Sequence, residues 1–597
     1  MKKLIRNAVL LIALWVDLIA STSTLLVSSP VIELSDGMIR GSTAISRQGK
    51  QYSQFLGIRY AQPPIGSLRF EPPERPDKWT GVMDTTRCKP ECLQYDAMFL
   101  KRIKGVEDCL YLNVYSPNIL NSNSTREEQA SLPVFVFLHG GGFFSGNPRM
   151  YDGKYFMDEN VVLVVVWYRL SSFGFLSTGD DVIRGNMGLK DQNLSLQWVQ
   201  ENIAKFGGNP NLVVLFGESS GAASVHLHML SPMSKGLFHR AISQTGSSLR
   251  RYPNTVNLED QARSLAKRVG CTEETTTREI ADCLKKVDAL KIVETHRDVQ
   301  DTLRSDYSVY GPIVEQVKDE KAFLTEEPET LLKEGNFNHV PWISGINSAD
   351  GIIFANGYTK DRSTVAKLDS IDGWRAHLSR LLRYDDDNLE KSISVADRIR
   401  KFYFGDDGLP SDPRYFQNLT NMFSDRMYFL PTYNTVQLQA SQSPVYLYYF
   451  DYKTMGSVFK VVDAVQLAII PAEIQIARYF VKTWINENIL GVQPPSYGAA
   501  HGDELFLLFN LNVFLEARQG SIDYDASRVM VKAWTDFAKG DKVFYDGVYW
   551  PAVDLSSNSP LKYLRIANNS TTIIDDPIEE RMKFWKSLDL TFLGNKL

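Results

Sequence analysis

Five short apolar runs recur along the chain, at 132–138, 161–168, 213–216, 340–346 and 444–450. They are continuous rather than alternating in polarity, the pattern of strands covered on both faces. Between the second and third, Leu196, Val199, Ile203 and Phe206 recur at helical spacing, and Gly207-Gly208 is expected to end that helix. Strands alternating with helices predict an α/β fold on a large, mostly parallel central sheet flanked by helices. Ligands of such sheets gather at the C-terminal strand ends, so a catalytic motif belongs there. No repeat of about 20–50 residues is visible, which excludes solenoids and propellers. No Pro- or Ser-rich linker divides the chain.

Charge and the two ends bound the compartment. With 65 Lys and Arg against 70 Asp and Glu, the net charge of −5 argues against a nucleic-acid partner. The start, Met1-Lys2-Lys3 with Arg6, leads into an apolar run at 8–20 and then Ser21-Thr22-Ser23. Basic, apolar and small-residue regions in that order predict a secretory signal peptide over residues 1–23, with an approximate cleavage point. The run is shorter than the roughly 20 residues that span a bilayer, and it contains Asp17. No later stretch reaches that length, so no integral membrane segment is expected in the mature chain, which should be secreted and extracellular. Glycosylation sequons stand at Asn123, Asn193, Asn418, Asn568 and Asn569. All but Asn193 are candidate glycan sites; Asn193 falls inside the predicted helix beside its buried face. The five cysteines are an odd number, so one thiol stays unpaired or pairs between chains.

The third run leads into Gly217-Glu218-Ser219-Ser220-Gly221, and small residues follow. Gly-x-Ser-x-Gly between a buried strand and a helix is a nucleophile elbow, which lifts the Ser219 hydroxyl off the sheet. The first run ends in His139-Gly140-Gly141-Gly142-Phe143. Three consecutive glycines cost entropy that a plain loop has no reason to spend. They make sense where backbone N–H groups must converge on an oxyanion, and Gly141, Gly142 and Ser220 are the expected donors. A phosphate-binding loop would need a Lys-Ser/Thr ending, which is absent.

With these motifs the chain resembles the type-B carboxylesterase/cholinesterase family of α/β-hydrolases, insect-type secreted carboxylesterases in particular. The resemblance runs over about residues 31–588. It rests further on Glu107-Asp108-Cys109-Leu110-Tyr111-Leu112-Asn113-Val114-Tyr115, on Gly57-Ile58-Arg59-Tyr60-Ala61-Gln62-Pro63-Pro64, and on Gly185-Asn186-Met187-Gly188-Leu189-Lys190-Asp191-Gln192. It implies an α/β-hydrolase fold and one catalytic domain over residues 24–597. It also implies that Gly345-Ile346-Asn347-Ser348-Ala349-Asp350-Gly351 carries the catalytic acid, Asp350 standing where Glu is usual, and that His501 is the base. The order Ser219, Asp350, His501 is that of the hydrolase fold, with Asp503 and Glu504 as lesser alternatives for the acid. The other seven histidines lack such a setting, and His226 and His228, two apart, make a poor metal pair.

The same resemblance implies disulfides Cys92–Cys109 and Cys271–Cys283, with Cys88 and Cys92 able to exchange roles. It implies buried ion pairs Arg69–Glu107 and Arg169–Asp191. Trp167 and Ser171 depart from the family's Asn and Gly, Ser220 from its Ala, and Thr245 from its Ser. The acyl-side positions fall near Asp306 and Ser308, and 93–108 holds no Trp for a quaternary ammonium, which argues against acetylcholine. The implied activity is hydrolysis of small-molecule carboxylic esters to acid and alcohol through an acyl-enzyme on Ser219, without metal or other cofactor, by a monomer or homodimer. The alternatives are a non-catalytic cholinesterase-like binding or adhesion protein, and a juvenile hormone esterase or lipase-like specialisation. Juvenile hormone esterases usually carry Gln where Glu218 stands.

Overall fold

A computed structural model describes residues 29–590 apart from 97–100, 118–130, 251–256, 303–309, 361, 383, 385–387, most of 465–495, 512–515, 541 and 557–558. The expected leader, Asn123, and the acyl-side positions Asp306 and Ser308 lie outside the described residues.

The main sheet is built from β1 (Ser42–Ile45), β2 (Gln51–Arg59), β3 (Tyr111–Ser116), β4 (Leu132–Leu138), β5 (Val162–Val166), β6 (Gly208–Glu218), β7 (Arg240–Gln244), β8 (Trp342–Asn347), β9 (Val445–Asp451), β10 (Lys562–Ala567) and β11 (Thr571–Asp575). Their order across the sheet is β11-β10-β9-β8-β7-β6-β4-β5-β3-β2-β1. From β10 to β5 in that order every pair is parallel, and the pairs outside this block are antiparallel. The predicted mostly parallel sheet is therefore present, with hairpin-type edges at each flank. β5 and β8 are buried along their whole length, as continuous apolar runs between two helical layers require.

All five runs become strands; the run at 132–138 is β4 without change, and the ends of the other four are adjusted. The run at 161–168 narrows to β5, and those at 340–346 and 444–450 shift to β8 and β9. The run at 213–216 extends back to Gly208 through an irregularity between Gly208 and Val213. The helix read from Leu196 to Phe206 is α1 (Met187–Asn202) followed by a 3-10 turn, Ile203–Phe206. Gly207 alone closes it, at φ 82°, while Gly208 already pairs with Leu132. One left-handed residue is enough to turn the chain, so the second glycine is free to enter the strand.

Cys92–Cys109 and Cys271–Cys283 are bonded, and Cys88 is a half-buried thiol. Arg69 grips Glu107 with two bonds of 2.7 Å and donates to the Leu284 and Val287 carbonyls, tying the two disulfide regions together. Arg169 makes the same two-point contact with fully buried Asp191, at 2.8 and 2.6 Å. Asn193 is buried in α1 with its amide donating to Met233 and Ser234, so a glycan has no room there. Asn418 is half-buried, whereas Asn568 and Asn569 are exposed just after β10. No helix among the described residues is long and apolar enough to cross a membrane.

Candidate active site

β6 ends at Glu218, and α2 (Ser220–Leu230) begins two residues later. Ser219 between them sits at φ 57°, ψ −120°, a conformation that costs a non-glycine residue on the order of 1–3 kcal/mol. Its backbone is held on both sides, N–H to Gln244 O (2.9 Å) and C=O from Ala223 N (2.9 Å). The elbow also needs Gly221: a Cβ there would lie 2.0 Å from the Leu138 carbonyl oxygen of β4. The strand, the strained serine and the close glycine are one device.

The glycine loop leaves β4 beside this elbow. Gly141 has φ 114°, and a Cβ on it would stand 1.9 Å from the Ser145 carbonyl oxygen. His139 anchors the loop by stacking on Tyr168, centroids 4.4 Å apart, while the Tyr168 hydroxyl donates to the His139 carbonyl at 2.7 Å. Burial pushes the His139 imidazole down to about 4, so it is a neutral anchor at physiological pH. Ser220 opens α2, where first-turn N–H groups have no partner within the helix. Gly141, Gly142 and Ser220 thus lie at the C-terminal ends of the adjacent strands β4 and β6.

Asp350 follows β8, fully buried. Its Oδ1 lies 2.9 Å from His501 Nδ1, and its Oδ2 accepts the Asn347 N–H at 2.8 Å. The loops bearing the two are stitched together: Ala349 N–H to Ala499 O (2.8 Å), Ala499 N–H to Ser348 Oγ (2.8 Å), and the Asn347 amide to Ala500 O (2.7 Å). Burial pushes the Asp350 carboxyl up, while the Asn347 N–H, the neighbouring Thr245 hydroxyl and Arg250 pull it down. Burial pushes His501 down to about 4, against the pull of Glu218.

The alternative acids are occupied elsewhere. Asp503 accepts from Ala500 N–H, Ser457 Oγ and Val458 N–H, at 2.9, 3.0 and 2.8 Å, pinning the histidine loop to the chain that follows β9. Glu504 takes the Asn347 amide. His226 and His228 are buried between hydroxyl and amide partners, Ser248 with Gln439 and Ser234 with Gln192.

One close neighbour of His501 was visible in the sequence only as a departure. Glu218 Oε1 stands 3.1 Å from His501 Nε2, and its other oxygen would meet a Cβ on Gly140 at 2.3 Å. Burial pushes this carboxyl up to about 7, with His501 pulling it down and Glu504 and Asp350 pushing it further up. As pH rises through that value the carboxyl ionises beside Nε2 and favours the imidazolium that forms during proton transfer. Glu218→Gln is therefore expected to remove the limb near neutrality from the kcat/KM profile. It should lower the alkaline plateau roughly threefold to tenfold, since a tenfold loss corresponds to about 1.4 kcal/mol. A variant profile that superimposes on the wild type from pH 5 to 9 would exclude this role.

The backbone accommodates the other departures, while the Trp167 indole N–H and the Ser220 hydroxyl are buried without a hydrogen-bond partner among the described residues. Ser171 takes φ 50° where the family has Gly, and its N–H donates to Phe143 O (2.8 Å), bracing the end of the glycine loop. Trp167 is buried, and its backbone is held by Tyr111 and by the Tyr60 hydroxyl at 3.0 and 2.6 Å. Ser220 points its hydroxyl into the interior, and Thr245 adopts φ 52° beside Asp350.

A family model described as the carboxylesterase family matches residues 28–585. A carboxylic ester hydrolase of Bombus ignitus is 33% identical, covering 95% of both chains. Venom carboxylesterase-6 of Apis mellifera is also 33% identical over 95% of both, and the juvenile hormone esterase of Tribolium castaneum is 32% identical over 94% of both. The crystal structure of juvenile hormone esterase from Manduca sexta, with OTFP covalently attached, superimposes with a TM-score of 0.78 at 26% identity. It matches 94% of this chain and 100% of that one.

Proposed function

The chain belongs to the carboxylesterase family and is a carboxylic ester hydrolase, and on that premise we propose that Ser219, His501 and Asp350 carry its reaction. The observation that supports this most is the 2.9 Å contact from Asp350, in the loop after β8, to His501 Nδ1, with Nε2 of the same ring 3.1 Å from Glu218, the residue before the strained Ser219. Asp350 holds the proton on Nδ1, which leaves Nε2 as the basic nitrogen. Ser219 Oγ attacks the ester carbonyl carbon and gives its proton to Nε2. The N–H groups of Gly141, Gly142 and Ser220 receive the oxyanion. His501 then protonates the departing alcohol oxygen as the C–O bond breaks, leaving an acyl-enzyme. Water attacks the acyl carbon by the same route, releasing the acid and restoring Ser219.

The substrates are small-molecule esters, and every proton in the cycle is carried by these side chains. We further assign the chain to a single catalytic domain over 24–597, secreted after removal of 1–23, with glycans at Asn123, Asn418, Asn568 or Asn569 and a monomeric or homodimeric state. The purified protein should hydrolyse p-nitrophenyl acetate and take up one equivalent of a fluorophosphonate probe. Failure of both would return the chain to a binding role.

Similarity to two juvenile hormone esterases favours a second, narrower reading, hydrolysis of a juvenile-hormone-like ester. Glu218 weighs against it. A kcat/KM for such an ester no higher than for p-nitrophenyl acetate would reject it.

A further inference from the structure

The imidazole of His501 has a neighbour that the proposed chemistry does not use. The Tyr428 ring lies against it, centroids 4.4 Å apart and tilted by 32°. Tyr428 is buried, and Arg250 packs over its ring with the guanidinium carbon 4.5 Å from the centroid.

The ring arrives there on an unusual piece of backbone. The helix Phe416–Ser424 continues into a π-helical turn, Asp425–Phe429, and then into the helix Leu430–Gln439. Pro431 explains the widening: it has no N–H to give the Met427 carbonyl four residues back, and its ring needs room at that carbonyl. A wider turn rotates the residues within it relative to a regular helix, and Tyr428 is one of them. The turn is held from behind. Asp425 is fully buried, paired with Arg581 at 3.0 Å and accepting from the Tyr403 hydroxyl, which itself accepts from the Trp585 indole at 2.7 Å.

The same helix grips the acid loop. Ser424 Oγ accepts the N–H of Gly351, the residue after Asp350, at 2.8 Å. Gly351 presses so closely that a Cβ would lie 2.3 Å from Ser424 N. One irregular helix thus touches the loop of the acid and the ring of the base.

We propose that Tyr428 is a positioning residue for His501, its ring set by the widened turn so that Nε2 keeps a fixed aim, while Ser424, four residues before Tyr428, holds the Gly351 N–H next to Asp350. The proposal rests on the roles assigned to Ser219, Asp350 and His501. The His501 ring is hydrogen-bonded at one edge by Asp350 and bordered by Glu218 at the other. Those contacts leave a tilt about the Nδ1–Oδ1 direction, which an aromatic face is suited to limit.

The test compares Tyr428→Leu with Tyr428→Phe in the full-length chain, on p-nitrophenyl acetate and in the rate of fluorophosphonate labelling. Loss of the ring should lower kcat and the labelling rate together by about 10- to 100-fold, with KM within about twofold, as for a small misplacement of a catalytic group. Phe should restore both to within about threefold. If Tyr428→Leu does not give folded protein, Tyr428→Met, with a flexible side chain of similar reach, takes its place under the same expectations. Wild-type kcat and labelling in the ring-less variant would overturn the proposal, as would a Phe variant as slow as Leu. Ser219→Ala in the same assays separates the two readings. If Ser219→Ala is dead and Tyr428→Leu is fast, only this inference fails; if Ser219→Ala is fast, the assignment of the nucleophile fails.

Discussion

Ser219→Ala is expected to lower kcat on short p-nitrophenyl esters by about 10⁵- to 10⁶-fold, the scale on which removal of a serine nucleophile acts. It should leave the melting temperature nearly unchanged. The fold asks little of the Ser219 side chain: its N–H and C=O make the bonds to Gln244 and Ala223 that hold the elbow, and alanine keeps both. The strained φ of 57° is a property of the backbone path and persists in the variant. Some rate above water should survive, because the glycine-loop and Ser220 N–H groups remain to receive an oxyanion. Covalent uptake of a fluorophosphonate should be lost outright. Turnover within tenfold of wild type would remove Ser219 from the mechanism.

Five strands of the sheet were legible because they are largely buried on both faces and read as apolar runs, whereas β3, equally buried, has its run broken by Asn113 and Ser116. β1, β2 and β11 are less uniformly buried, and their mixed sequences carry no such signal. The elbow and the glycine loop were legible because each needs residues without a side chain where one backbone crosses another, as Gly221 does at Leu138. Asp350 and His501 were not legible from residue physics alone. Each is one acid or one imidazole among many, and 151 positions separate them. Only resemblance picked them out. Glu218 stood in plain view next to Ser219, but nothing local says that its carboxyl turns toward an imidazole 283 residues away. Tyr428 left one faint trace, a proline inside a helical stretch. That trace signals irregular backbone without saying which side chain the irregularity aims, or at what.

Asp350→Asn is expected to lower kcat by about 10⁴-fold with the site otherwise intact. Asparagine fills the same volume, and its oxygen can still accept the Asn347 N–H. Its amide, however, donates where the carboxylate accepted. Facing His501 Nδ1 with a donor, it favours the tautomer protonated on Nε2, which cannot take the serine proton. It also removes the anion that would stabilise the imidazolium. Asp350→Glu asks a different question. The resemblance places a longer acid at this position, yet here the acid and histidine loops lie close enough to be stitched by three hydrogen bonds, and Asp350 already reaches Nδ1 at 2.9 Å. The close stitching and the short side chain are matched. An added methylene in this fully buried place must push something aside, at about 1–3 kcal/mol of stability. The Glu variant should therefore keep the tautomer, recover most of the kcat lost in the Asn variant, and melt several degrees lower. If Asn were as active as Asp, the carboxylate would have no part in orienting His501. If Glu were as slow as Asn yet as stable as Asp, reach rather than charge would set the requirement.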